Sequence, residues 1–106
     1  MKRKPKTLEV KLRAAIRLIW SRSAERRAVL KTALYKDPVS GNWMFKCALC
    51  RMEWHQAMGE VDHIEPVGAL DLTHITEFVR RMFYSPQQVI DKLCHKKKTA
   101  EQRRKK

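Results

Sequence analysis

Three short clusters in this 106-residue chain hold side chains that can bind a metal ion or move a proton. The first is Cys47-Ala48-Leu49-Cys50. A tight turn brings the two thiolates of a Cys-x-x-Cys pair to one ion, and zinc suits such ligands. Redox pairs share the spacing, but they lie near βαβ patterns, and none surrounds this pair. The second cluster, EVDHIEPV, runs from Glu60 to Val67. Asp62 and His63 are neighbours on an expected strand, so their side chains leave on opposite sides. One can hold a metal while the other faces a substrate. The third, CHKKKT, runs from Cys94 to Thr99. Cys94 can close the zinc site while the adjacent His95 serves a second ion. Lys96, Lys97 and Lys98 read as phosphate contacts, or as a basic helix end favoured by the helix dipole.

The elements that must position these clusters follow from hydrophobic spacing. Leu8, Leu12, Ala15, Ile16 and Ile19 recur at helical intervals, with Lys and Arg between them. Ser21 and Ser23 interrupt the stripe and can cap a second helix to about Tyr35, its buried face Ala24, Ala28, Leu30 and Leu34. Asp37-Pro38 and Ser40-Gly41 are turn signals. Beyond them Trp43, Phe45, Trp54, Val61 and Ile64 read as short strands. Asp71 to Tyr84 returns to helical spacing through Leu72, Ile75, Phe78, Val79 and Met82. Ser85-Pro86-Gln87-Gln88 has the form of a capping box with Pro at the first helical position. It predicts a last helix from Pro86, with Val89, Ile90, Leu93 and Cys94 inward. The expected fold is α+β, mainly helical, in a single domain over 1–106. A basic arm covers 1–6, a basic helical segment 7–36, a core 43–102 and a basic tail 103–106.

Charge narrows the partners. The chain carries 24 Lys+Arg against 11 Asp+Glu, for a net +13. Residues 1–36 are net +10, 37–91 net −4 and 92–106 net +7. Basic flanks of this size imply a polyanion, most simply nucleic acid, and the acidic middle can hold a cation among them. No apolar run approaches the roughly 18–20 residues that span a bilayer, so no membrane association is expected. The N-terminal apolar stretch carries Arg13 and Arg17 and lacks a small-residue cleavage site, so it does not read as a signal peptide. An odd count of three cysteines fits metal ligation in the cytoplasm better than a disulfide framework.

In this order the clusters are specific. From about Trp43 to Gln102 the chain resembles the HNH endonuclease family, particularly the small members common in bacteriophage genomes. The shared pattern is a Cys-x-x-Cys knuckle, then Asp62-His63-Ile64-Glu65-Pro66, then a second knuckle ending Cys94-His95 with Lys98-Thr99. The resemblance implies a ββα-metal finger, two strands and a helix around a catalytic divalent ion, braced by structural zinc. By position, His63 matches the general base that takes a proton from the attacking water. A histidine with an ordinary pKa near ~6.5 is largely neutral at physiological pH and suited to that role. Asp62 and His95 match ligands of the catalytic ion, which would be Mg²⁺, Mn²⁺ or Ni²⁺. Lys96, Lys97, Lys98, Arg103 and Arg104 would hold the nucleic-acid strand. The expected partner is DNA, with duplex favoured. A homodimer or a phage or host protein is a further expected contact, in a bacterial or phage-infected cytoplasm.

Two positions depart from the family pattern. Alignment on Cys94-His95 puts Asp91 where a third cysteine usually stands. Aspartate also binds zinc. Three outcomes follow: zinc held by Cys47, Cys50, Asp91 and Cys94, zinc with His55 as fourth ligand, or no zinc and three buried thiols. The family's middle asparagine is missing, since Asn42 is the only asparagine in the chain and Pro86 occupies the expected place. Gln87 or Gln88 can supply the lost amide, or simply belong to the capping box. Loss of an orienting group lowers rates by orders of magnitude. The functions expected are therefore a metal-dependent DNA nuclease, a catalytically weak or inactive DNA-binding or packaging-associated module on the same fold, or a binder of an acidic protein.

Overall fold

A computed structural model describes residues 6–104. Most of the expected arm over 1–6, and the end of the tail over 103–106, lie outside the described residues. The fold is α+β, with four helices and two small antiparallel sheets.

Helix α1 (Leu8–Ser21) begins where the Thr7 hydroxyl accepts from the Val10 amide at 3.3 Å, with Glu9 in its first turn. Helix α2 (Ala24–Ala33) follows at once, because Ser23 caps it by accepting from the Arg26 amide at 3.1 Å. The inward stripe of α1 is Leu12, Ile16 and Trp20, whereas Leu8, Ala15 and Ile19 are exposed. The stripe is rotated from its expected position because Trp20, with the largest apolar area on the helix, goes under at 5% exposure. On α2 Val29, Leu30 and Ala33, with Leu34 just past its end, pack inward; the expected Leu30 and Leu34 are among them, whereas the expected Ala24 and Ala28 stay outside.

The first sheet joins β1 (Tyr35–Lys36), β2 (Trp43–Lys46) and β3 (Glu53–His55) in that order. Asp37 shapes the β1–β2 turn by accepting from the Ser40 amide (3.0 Å) and hydroxyl (2.6 Å). The β2–β3 connection is the Cys47–Cys50 knuckle, closed by Arg51 N to Cys47 O at 3.0 Å and Cys47 N to Met52 O at 2.9 Å. Arg51 takes φ 67°, a left-handed conformation that costs a residue with a Cβ.

The second sheet pairs β4 (Gly59–His63) with β5 (Gln87–Asp91), with Asp62 opposite Gln88 and His63 opposite Gln87. Gly59 sits in close packing: a Cβ there would lie 3.2 Å from Gln56 O and 3.3 Å from Phe45 Cε1, so a larger residue would press on both. Between these strands runs α3 (Ile75–Tyr84), which buries Phe78 and Met82 and follows a 3-10 turn capped by Asp71.

Residues 87–91 correct the expected last helix. They form β5, and α4 (Lys92–Arg104) starts only afterwards. Val89 and Ile90 are β-branched and buried, and pairing with β4 outweighs the capping-box signal. Ser85 Oγ donates back to Arg81 O at 2.5 Å, at the end of α3, and does not cap Gln88. Leu93, expected inward, is 57% exposed. The Asp91 carboxylate caps α4, accepting from the Cys94 amide at 2.9 Å. Phe45, Val61, Phe78, Met82, Val89 and Ile90 form the centre of a core that both sheets share with α3. Among the described residues no helix is long and apolar enough to cross a membrane.

Candidate metal centre and active site

The β2–β3 knuckle and the β5–α4 junction meet. Cys47, Cys50, Asp91 and Cys94 place four ligand atoms within 4.8 Å of one another, so the group could hold a metal ion. Tetrahedral zinc with Zn–S bonds near 2.3 Å needs ligand separations of about 3.8 Å, which this cluster can reach. Ala48 N donates to Val89 O at 3.1 Å and ties the knuckle to β5. Cys47 is fully buried, Asp91 is 1% exposed and the three cysteines are free thiols. Cys50 Sγ donates to Asp91 Oδ2 at 3.1 Å.

Burial pushes the Asp91 carboxyl up, but the Cys94 amide and the Cys50, Cys47 and Cys94 thiols outweigh it and hold the pKa well below the usual carboxylate range. The Asp91 carboxylate, then burial, pushes the Cys94 thiol up to about 12. Cys50 is drawn down, foremost by the Trp54 indole. The buried Trp54 N–H has no regular hydrogen-bond partner among the described residues. A thiolate at Cys50, as metal ligation requires, would give that donor an acceptor. His55 is exposed on β3, where its Nδ1 accepts from the Ala57 amide at 3.1 Å. The four-residue group contains Asp91 and not His55.

Asp62 and His63 leave β4 in different directions and meet different helices. Asp62, 8% exposed, faces α4. Its Oδ2 accepts from Lys98 Nζ at 2.5 Å and Gln88 Nε2 at 2.9 Å. Its Oδ1 lies 3.9 Å from His95 Nε2. One carboxylate oxygen is thus held by the protein while the other is presented to His95. Octahedral ligands at about 2.1 Å stand about 3 Å apart when cis and about 4.2 Å when trans, so sharing one ion would require a small shift of Oδ1 or Nε2 from their present separation. Lys98 also donates to the carbonyls of His63 (2.9 Å) and Ile64 (3.1 Å).

His63, 7% exposed, faces the helical layer. Its ring centroid lies 4.5 Å from that of Trp20, and its Nε2 donates to Met82 O at 2.7 Å. A peptide carbonyl only accepts, so Nε2 carries the proton and the lone pair of the neutral ring is on Nδ1. Burial lowers the His63 pKa, opposed by the Met82 carbonyl and reinforced by the charge of Arg17. Gln87, opposite His63 in the sheet, donates its two Nε2 protons toward Phe83 O (3.0 Å) and Ser85 O (3.3 Å), with Met82 O a longer, shared contact at 3.5 Å. The carbonyls at the end of α3 are thereby held together where one of them orients His63. Gln87 Oε1 is buried without a partner among the described residues, so the amide works through its nitrogen.

Lys96, Lys97, Arg103 and Arg104 are exposed on α4, whereas the Lys98 ammonium turns inward to Asp62. An open cleft of about 440 Å³ runs beside the knuckle, lined by Leu49, Cys50, Cys94, Lys97, Lys98 and Glu101. Sequence reasoning missed Trp20, Met82 and the inward course of Lys98. Trp20 reads as one more apolar residue of a helix, and a backbone carbonyl such as that of Met82 leaves no trace in residue type. Compared with protein-family models, curated proteins and solved structures, the chain matches none.

Proposed function

We propose that the chain is a metal-dependent endonuclease of the HNH type, nicking or cleaving the phosphodiester bonds of DNA. One observation carries this reading: β4 and the first turn of α4 bring Asp62 Oδ1 and His95 Nε2 to 3.9 Å, and the next residue of β4 is a His63 whose protonation is directed by Met82 O. β4, β5 and α4 then play the parts of the two strands and the helix of a ββα-metal finger. The Cys47, Cys50, Asp91 and Cys94 group serves as its structural zinc site.

In this mechanism Nδ1 of His63 accepts the proton of the attacking water, while Met82 O stabilises the imidazolium through Nε2–H. Asp62 and His95 hold the divalent ion, with the Asp62 carboxylate oriented by Gln88 and Lys98. When bound there, the ion supplies positive charge to the scissile phosphate and the departing 3′ oxygen. Gln87 takes over the positioning work of the absent asparagine by holding the Met82 carbonyl, and Asp91 replaces a cysteine ligand. Lys96, Lys97, Arg103 and Arg104 hold the strand through its phosphates.

A second reading has its own observation. The Lys98 ammonium already neutralises Asp62, which favours a DNA-binding or packaging-associated module that retains the finger as a scaffold. A supercoiled-plasmid nicking assay in EDTA, Mg²⁺, Mn²⁺ and Ni²⁺, run beside His63→Ala, separates the two. Metal-dependent nicking that disappears in the variant is expected. If both proteins are inert with every metal yet retard the plasmid equally on a gel, the module reading replaces the nuclease.

A further inference from the structure

We propose that Arg13 and Arg17 of α1 form a phosphodiester-binding site beside His63, seated by the Trp20–His63 stack, so that a helix outside the finger grips the backbone at the bond to be cut. The inference deepens the nuclease reading and rests on it for the role of His63.

The juxtaposition follows from helical geometry. Arg17 precedes Trp20 by three residues and Arg13 precedes it by seven. At about 100° per residue all three fall within a sector of roughly 60°. Trp20 is 5% exposed and its ring lies 4.5 Å from the His63 ring, so Arg17, whose charge reaches His63, starts from the flank of α1 that touches the imidazole, and Arg13 starts one turn further along it, beside Ala69 and Leu70. α1 also packs on α3, which supplies the Met82 carbonyl to His63. A third cation approaches from α2, with the Arg26 guanidinium carbon 5.8 Å from the Trp20 ring centroid.

The pair is uncompensated. Arg13 and Arg17 are exposed one turn apart, and among the described residues neither forms an ion pair, although Glu9 lies one turn before Arg13. Like charges at this spacing weaken a helix. The pKa of Arg17 is lowered, first by partial burial of its guanidinium against the protein and then by Arg13, and the Arg17 charge in turn reaches His63. An anion between the two would relieve this repulsion. A phosphodiester is the anion favoured, because guanidinium groups bind phosphate oxygens in a bidentate manner and the neighbouring imidazole offers a base. The indole N–H of Trp20 is buried without an acceptor among the described residues, so the ring is placed for its packing against His63 and not for a hydrogen bond.

The site differs in kind from the basic surface of α4. Charges on α4 hold the strand anywhere along it, whereas Arg13 and Arg17 set the position of one phosphate against His63. The test compares Arg13→Ala/Arg17→Ala with the control Lys31→Ala/Lys36→Ala, each removing two exposed charges, together with Arg17→Lys. Binding of a 12-base-pair duplex is measured against salt, and single-turnover nicking is measured at saturating protein. Losing the one phosphate contact of the α1 pair should flatten the logarithmic salt dependence by about 0.9, while the control pair leaves it nearly unchanged. Only the α1 pair should also slow nicking of bound DNA, by about 10- to 100-fold, with Arg17→Lys intermediate. Equal nicking rates for the two double variants at saturation overturn the proposal.

A second readout stands if the wild-type protein does not nick at all. The Trp20 indole N–H resonance should shift when the duplex is added, and Arg13→Ala/Arg17→Ala should abolish that shift while α4 still binds. A shift without nicking sinks the nuclease reading and leaves the phosphate site in place. A Trp20 resonance that ignores the duplex, or that moves equally in the double variant, overturns the site itself.

Discussion

Asp91→Ala removes two things at once, and the structure separates them. The carboxylate caps α4 through the Cys94 amide at 2.9 Å, and it belongs to the four-ligand group. Losing the cap costs about 1 kcal/mol, and losing the Cys50 thiol's acceptor brings the expected cost in EDTA to roughly 1–2 kcal/mol. With free zinc at about 1,000 times its Kd, the bound ion adds about 4.1 kcal/mol to stability. If losing one ligand weakens the site about 100-fold, the excess falls to about tenfold and the linkage drops to about 1.4 kcal/mol. The substitution should therefore cost about 2.7 kcal/mol more in zinc than in EDTA. For a domain of this size that is a difference of roughly 10–20 °C in the shift of Tm. Thermal melts of wild type, Asp91→Ala and Asp91→Asn, each with zinc and with EDTA, measure it alongside zinc stoichiometry. Asparagine is a good cap and a poor zinc ligand, so Asp91→Asn should recover most of the loss in EDTA and little of the loss in zinc. An Asp91→Ala cost that is the same in zinc and EDTA, with unchanged metal content, refutes the ligand role and leaves Asp91 as a helix cap.

Four further outcomes can be measured independently. Gln87→Ala should slow nicking by about 10- to 100-fold with duplex affinity unchanged, because it frees the carbonyl that orients His63; an equal loss of affinity would place Gln87 in binding instead. Burial holds the His63 pKa below 6.5, so the base stays neutral in acid where a free imidazole would not, and the acid limb of the nicking profile should fall below pH 6.5. The sign for stability follows: below pH 6.5 the unfolded chain takes up a proton that folded His63 refuses, so stability decreases as pH falls through that window, and His63→Gln should flatten the decrease. Arg51→Gly should raise the melting temperature by several degrees, since a glycine at φ 67° relieves about 1 kcal/mol of left-handed strain; an unchanged or lower value would mean that the arginine side chain contributes as much as the strain costs.

The parts of the fold legible in the sequence were those written in local signals. Ser23 reads as a cap and is one, and the Asp37 to Gly41 turn and the α3 stripe through Phe78 and Met82 fall where spacing puts them. The grouping of Cys47, Cys50, Asp91 and Cys94 was reachable from residue type and order, and the structure assembles those four. Residues 85–91 misled because a short capping pattern looks the same whether or not a partner strand is waiting, and β4 decides the matter from 26 residues away. The stripe of α1 turned toward Trp20 because packing area outweighs the mean direction of the apolar residues. The support around His63 was least visible. Met82 acts through its backbone, and Gln87 acts through a register that exists only once the sheet has formed.

The four-ligand group joins two stretches of chain whose members Cys50 and Asp91 are 41 residues apart. An ion bound there closes a loop of that length and acts on the unfolded chain much as a disulfide would, with a loop-closure entropy equivalent to about 4 kcal/mol. Asp62, His63, Gln87 and Gln88 all lie inside this loop, whereas His95 and Lys98 lie just beyond its closing end. The ring thus encloses both strands of the second sheet, and its exit leads directly into the helix that faces them. A cut between the two strands would leave them tethered through a bound ion, while α3 stays anchored in the core by Phe78 and Met82. The ends of the strands would then be held by the ion and their middles by the core, two restraints that do not depend on an unbroken chain between them.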